Sequence, residues 1–337
     1  MYLYVKIFFI FFIFLNQIAN TYDSSKEEED YGLNYNTFKN LFIKKYKKNI
    51  KKLTEVIIVD FDINYNGLET LNDFIKRRLH INADDNPDNN LDDDKDGYIN
   101  NTYGINFLSS HSDPFSIFKS IYDDGQNDTF HEEEKHGFYM LQIIDKIALS
   151  PVVKIYPITV KSGEEFAKAV DWVVKEKERG ANIRIVNLPA TSFLKLHLYK
   201  NKLLFNEMKG YVQKLDDAGI ILVVGAGNQP PVDSNPYALM DLKNVLSVSA
   251  HDRNGNILYK HDKIYIDFTV PVIFGLGTSE SASIASAVIA TYCSIMGDMP
   301  YRRMLDFIKN SIKSDNKFKE FTKFGGFLQY NEKVLTY

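Results

Sequence analysis

The chain has 337 residues, 45% of them hydrophobic and 25% charged, which excludes a disordered or collagen-like polymer and allows a sizeable core. Its 40 Lys and Arg against 44 Asp and Glu leave a net charge of −4, so there is no global field for nucleic acid and none is expected as a partner. A single cysteine, Cys293, excludes an intramolecular disulfide.

Near the start, Lys6 precedes an unbroken apolar run from Ile7 to Leu15, followed by Asn16, Gln17, Ile18 and the small Ala19. Residues 1–20 therefore read as a secretory signal, and the run falls well short of the about 20 residues that a membrane-spanning helix needs. A secreted or cell-surface location follows. Residues 21–31 are polar and acidic with little to bury, which predicts a disordered tail. Phe38, Leu41, Phe42, Tyr46, Ile50 and Leu53 then recur at helical spacing with lysines between them. This basic amphipathic helix either packs on the main domain or makes a peripheral membrane contact. Residues 21–52 thus form a polar, lysine-rich leader, and residues 53–337 one domain.

From residue 56 onward, short β-branched runs alternate with helical patterns. Strands are predicted at 56–59, 152–160, 183–188, 220–225, 245–250 and 264–270. Helices are predicted at 71–79, 166–178, 203–216, 280–296 and 301–314, with another starting near 140. Such alternation specifies an α/β fold with a mainly parallel sheet and helices on both faces. The helix after Ser279 is rich in small residues and suits a buried central position, with Cys293 as an inert apolar filler.

In such a sheet, ligands bind at the carboxyl ends of the strands. Asp60 ends the first strand, Asn228 follows Val223-Val224-Gly225-Ala226-Gly227, Ser279 follows Gly277-Thr278, and His136 stands just before a helix. Together they supply the carboxylate, base, oxyanion donor and nucleophile of acyl transfer. Asp62 and His131 are local competitors, although His131 lacks the following glycine. Ser279 taken alone reads better as a helix cap than as a nucleophile. Asp92, Asp94 and Asp96 with Gly97 form a D-x-D-x-D-G array suited to calcium, although Tyr103 stands where an EF-hand needs Glu and the surrounding Asp84, Asp85, Asp88 and Asp93 also suit a merely solvated acidic loop. Asn100-Asn101-Thr102 and Asn127-Asp128-Thr129 are glycosylation sequons. Gly225 and Gly227 do not extend to G-x-G-x-x-G, which argues against a nucleotide site.

The order Asp60, His136, Asn228, Ser279, the segments Gly225-Ala226-Gly227-Asn228 and Gly277-Thr278-Ser279, and the run from Asp94 through Gly104 to His136-Gly137 resemble the subtilase family of subtilisin-like serine proteases. The resemblance covers roughly residues 53–299. It implies a three-layer subtilisin-like fold in which Ser279 attacks a peptide carbonyl, His136 moves the proton and Asp60 orients His136. It also implies Asn228 in the oxyanion hole and a protein or peptide substrate added as a strand beside Asn187, Leu188 and Pro189, with calcium securing the acidic loop. The abundance of Asn, Lys, Ile, Tyr and Phe is compatible with a malaria-parasite-type genome, in which the chain resembles surface subtilisin-like proteins.

Departures from the family pattern are concentrated around the site. Glu280-Ser281 replaces Met-Ala, Phe61-Asp62 replaces Ser/Thr-Gly, Phe138-Tyr139 replaces Thr-His, and Pro189-Ala190-Thr191 replaces Ser-x-Gly. The loop after Val160 is short, and residues 21–52 are too few for the folded pro-segment usual in secreted subtilases. Two functions therefore stand: a divergent serine endopeptidase acting through Ser279, and a degraded pseudoprotease serving as a secreted or surface interaction module in host-tissue invasion.

Overall fold

The computed structural model describes residues 32–46, 54–60, 77–86, 89–107, 136–149, 153–190, 202–228, 242–297 and 299–336. Within them the β-branched runs form β1 (Thr54–Asp60), β2 (Ile105–Asn106), β3 (Val153–Thr159), β4 (Ile183–Leu188), β5 (Ile221–Gly225) and β6 (Val245–His251). Then come β7 (Phe268–Pro271), β8 (Lys313–Ser314) and β9 (Gly326–Phe327). One sheet holds them in the order β2-β3-β1-β4-β5-β6-β7-β9-β8, and among the described residues only β8 with β9 is antiparallel.

Parallel neighbours need crossover connections. Helices α1 (Tyr35–Tyr46), α2 (His136–Ile147), α3 (Gly163–Glu178), α4 (Lys202–Asp217), α5 (Gly277–Met296) and α6 (Tyr301–Asn310) accompany the strands. Alternate strand residues serve different layers. Val56, Ile58, Ile185, Ile221 and Val223 join the core of α2 and α5, whereas Ile57, Val59, Val186, Leu222 and Val224 join that of α3 and α4. Burial on both faces is why these strands read as continuous apolar runs. The expected three-layer α/β fold with a mainly parallel sheet is thus present.

Local signals set the helix starts. Ser162 caps α3 by accepting from the Glu165 N–H at 3.2 Å, and Glu165 returns the favour by accepting from the Ser162 N–H at 3.0 Å. Helix α5 is buried along all 20 of its residues, and its small side chains let it lie close against β4, β5 and β6. Cys293 is buried within it, and burial pushes its thiol pKa up, as expected of a filler.

Several boundaries differ from expectation. The strand predicted at 264–270 begins at Phe268, because the Asp262 side chain accepts from the Ile264 N–H and turns residues 263–265 into a short 3-10 helix. The helix predicted at 301–314 stops at Asn310, and Lys313–Ser314 becomes an edge strand. Leu79, placed at a helix end, instead bridges Ile155 in parallel, while most of 71–79 lies outside the described residues. The basic helix packs on the domain: Phe38 and Phe42 are buried, and Phe38 stacks on Tyr330 with ring centroids 4.5 Å apart. Residues 1–31, covering the signal and acidic tail, lie outside the described set, within which no helix is long and apolar enough to cross a membrane.

Candidate active site

Because β1, β4 and β5 are parallel neighbours, Asp60, Pro189 and Asn228 all leave the sheet at its carboxyl edge. Asp60 is fully buried, and its two oxygens lie 3.0 and 2.9 Å from Nδ1 of His136, the first residue of α2. A carboxylate only accepts, so it holds the ring proton on Nδ1 and makes Nε2 the basic nitrogen of the neutral imidazole. The His136 side chain is 27% exposed, which keeps the ring within reach of a substrate.

Ser279 is the third residue of α5 rather than its cap; the cap position is Leu276. The Ser279 hydroxyl donates to the Pro189 carbonyl at 3.2 Å. Gly225 permits this approach. A Cβ there would stand 2.9 Å from the Pro189 oxygen and 3.0 Å from the Thr278 oxygen, both backbone atoms that cannot give way.

Thr278 connects the nucleophile's turn to Asn228. The Asn228 Oδ1 accepts from the Thr278 N–H at 2.9 Å and from its hydroxyl at 3.0 Å, while the Gly227 N–H donates to that hydroxyl at 2.9 Å. A backbone N–H can only donate, so the amide oxygen must face Thr278. The amide NH2 is thereby turned away from Thr278, on a residue that is itself exposed. His261 Nε2 donates to the Gly227 carbonyl at 2.8 Å, and Gly277, at φ +70°, leaves the space that Asn228 fills. Hydrogen bonds thus tie His136 to Asp60, Ser279 to Pro189, and Thr278 to Asn228 on three adjacent strand ends.

Glu280 points elsewhere. It is fully buried, and its carboxylate accepts from the N–H groups of Ile273, Phe274 and Leu276 in the connection between β7 and α5. Burial raises its pKa, and these backbone donors offset only part of that rise. Asn187 also points inward: it donates to Ser283 Oγ and accepts from Ser286 Oγ, each at 3.0 Å. Leu188 is buried in the α3 and α4 layer, so of the three residues expected along the substrate edge Pro189 is the one whose carbonyl reaches Ser279. Asp62, His131 and Thr191 lie outside the described residues.

The acidic array gathers as its spacing predicts, with carboxylate oxygens of Asp92, Asp94 and Asp96 all within 4.8 Å of one another. These are hard oxygen donors on a loop turned by Gly97 at φ +103°, a set that fits calcium. The loop is fastened to the sheet layers. Trp172 of α3 donates to Asp96 Oδ2 at 2.7 Å and stacks on Tyr156 of β3 at 4.7 Å, and the Tyr156 hydroxyl donates to the Asn101 carbonyl at 2.8 Å. Burial raises the Asp96 pKa to about 6, against the lowering effect of the Trp172 bond. Asn100 is buried and donates to Asn90, so its sequon is closed in the folded chain; Asn127 lies outside the described residues.

Nothing in the sequence assigned Thr278, His261 or Trp172 the partners they have here. Each acts on a residue 34 or more positions away, so spacing along the chain carries no signal for it.

No protein-family model matches the chain. It is 21% identical over 320 residues to Subtilisin-like protease 1 of Plasmodium berghei (strain Anka), covering 83% of this chain and 49% of that protein. The chain therefore spans about half the length of the curated relative it matches. The fold is similar to that of the A-subunit of the AB5 toxin from E. coli, with a TM-score of 0.59 and 15% identity over 92% of this chain and 99% of the other. It is similar also to the subtilase cytotoxin SubAB assembly (TM-score 0.58, 16% identity, 92% and 96% covered). A chain of the periplasmic assembly of the ESX-5 inner membrane complex gives a TM-score of 0.53 at 13% identity, with 94% and 86% covered.

Proposed function

We propose that this chain, a divergent subtilase-like protein, is a secreted or cell-surface serine endopeptidase acting on protein or peptide substrates through an acyl-enzyme on Ser279. The observation that carries the reading is the buried Asp60 carboxylate held at 2.9 Å from His136 Nδ1, on the same sheet edge as the Ser279 turn. Ser279 turns its hydroxyl from Pro189 toward His136 Nε2, which takes the proton as Oγ bonds the peptide carbonyl carbon. The developing oxyanion accepts from the Asn228 NH2 and from the Ser279 N–H in the first turn of α5. His136 then gives its proton to the leaving amine, and a water, activated by the same nitrogen, releases the acid and restores Ser279. Asp92, Asp94 and Asp96 would hold a structural calcium, whose charge would secure the acidic loop.

A fluorophosphonate probe is expected to label the folded, calcium-loaded protein at Ser279, and Ser279→Ala to abolish labelling. A well-folded wild-type chain that takes no label sinks the endopeptidase reading.

One observation favours a second reading, an interaction module without proteolysis: the Ser279 proton rests on the Pro189 carbonyl. For that module, joint replacement of Asp60, His136 and Ser279 leaves biological function intact. Loss of function in the folded triple variant would count against it.

A further inference from the structure

Helix α5 begins without a side-chain cap, because its cap residue is Leu276. Four orphan N–H groups at a helix start, together with those of the approaching turn, need acceptors when they are not open to water. Glu280, from inside the helix, supplies acceptors for Leu276 and for two residues of the approaching turn, while Asn228 takes the Thr278 N–H. One of its oxygens accepts from Ile273 and Phe274, the latter at 2.9 Å, and the other accepts from Leu276 at 2.9 Å. Gly275 between them has φ +80°, so successive N–H groups converge on one point. Such a concavity of backbone donors is an anion-binding nest. Here the anion is the chain's own carboxylate, reaching back as the acidic half of a capping box does.

We propose that Glu280 is a positioning residue of the active site: by filling this nest it fixes the connection from β7 into α5, and hence the placement of the Ser279 hydroxyl and N–H. The inference rests on the endopeptidase reading for its catalytic consequence, and on the fold alone for its structural one. Three features connect the nest to the chemistry. Glu280 is the residue after Ser279, so its side chain cannot be released without freeing the turn that carries the nucleophile. Thr278, two residues before it, holds Asn228 through both its N–H and its hydroxyl, so slack in this turn also reaches the oxyanion donor. The carboxylate is compensated by backbone donors on the far side of the turn, which keeps its charge from opposing the oxyanion.

Glu280→Gln is the informative variant, because it keeps shape and volume but replaces one acceptor oxygen by an NH2 that faces N–H groups. Two measurements are made on the full chain. Hydrogen exchange across residues 270–280 is expected to quicken at least tenfold in the variant, including the amides of Thr278 and Ser279. Fluorophosphonate labelling is expected to lose at least tenfold in its saturating rate, with the half-saturating probe concentration changed less than twofold. A merely structural role would lower the melting temperature without that split. Unchanged exchange overturns the proposal. So does faster exchange with an unchanged saturating rate. If the wild-type chain takes no label, the endopeptidase reading has failed by itself, and exchange at Thr278 and Ser279 then decides: unchanged protection there in Glu280→Gln overturns the positioning role.

Discussion

Asp60 keeps a carboxylate in a fully buried place where His136 answers it, and removing either partner from such a pair is costly. Asp60→Asn preserves the shape but lets the amide NH2 face Nδ1, which moves the ring proton to the wrong nitrogen. Labelling of Ser279 should then fall by about 10³–10⁴-fold with the fold retained, read as the rate of probe incorporation. His251 behaves in the opposite manner. It is buried among Phe318 and Phe327, and burial lowers its pKa from 6.5 to about 4. Above pH 6.5 the ring is neutral in both folded and unfolded chains, and its contribution is fully present. As pH falls from 6.5 to 4 the unfolded chain takes up a proton that the folded one refuses, so stability falls by about 3 kcal/mol. Urea midpoints measured from pH 7 to pH 4 should therefore drop less in His251→Gln than in the parent.

At the scale of elements, the acidic loop is the piece whose chemistry can be watched. The chain has one tryptophan, Trp172, and its indole donates to Asp96. Adding calcium to chelator-treated protein should change the Trp172 fluorescence and raise the melting temperature, since a ligand that binds the folded state alone stabilises it. Asp94→Asn should remove both responses; a parent chain indifferent to calcium by both measures would refute the site. The strands β1 and β3 to β6 were legible because burial on both faces leaves long apolar runs, and the order of Asp60, His136, Asn228 and Ser279 pointed to the candidate site at their carboxyl ends. Illegible were one local contest for a backbone N–H and features made by distant partners. The 3-10 turn at 263–265 depends on Asp262 competing locally for a backbone N–H, and the inward turn of Asn187 depends on hydroxyls of Ser283 and Ser286 nearly a hundred residues away. Glu280 reads as a charge beside the nucleophile until the nest of residues 273–276 is seen.

At the scale of the molecule, the leader and the domain are not separable where composition changes. Leu33, Phe38 and Phe42 belong to the same core as α2 and α5. Burying a large apolar side chain contributes about 1.5–3 kcal/mol, so three of them amount to much of a stability that is typically about 5–15 kcal/mol. A chain beginning at Leu53 should accordingly melt well below the full-length protein or aggregate, as thermal scans of the two would reveal; equal melting temperatures would show that α1 is dispensable.

The contact of α1 with Tyr330 orders events during synthesis. The Tyr330 N–H donates to the Leu33 carbonyl at 2.8 Å, across a gap of 297 positions, and its ring stacks on Phe38. A ribosome delivers the first of these groups long before the second. Until Tyr330 emerges, Phe38 lacks the ring that stacks on it, and a product truncated before Tyr330 presents that uncovered face to chaperones and proteases. The earliest described helix therefore waits for one of the latest described residues to cover it.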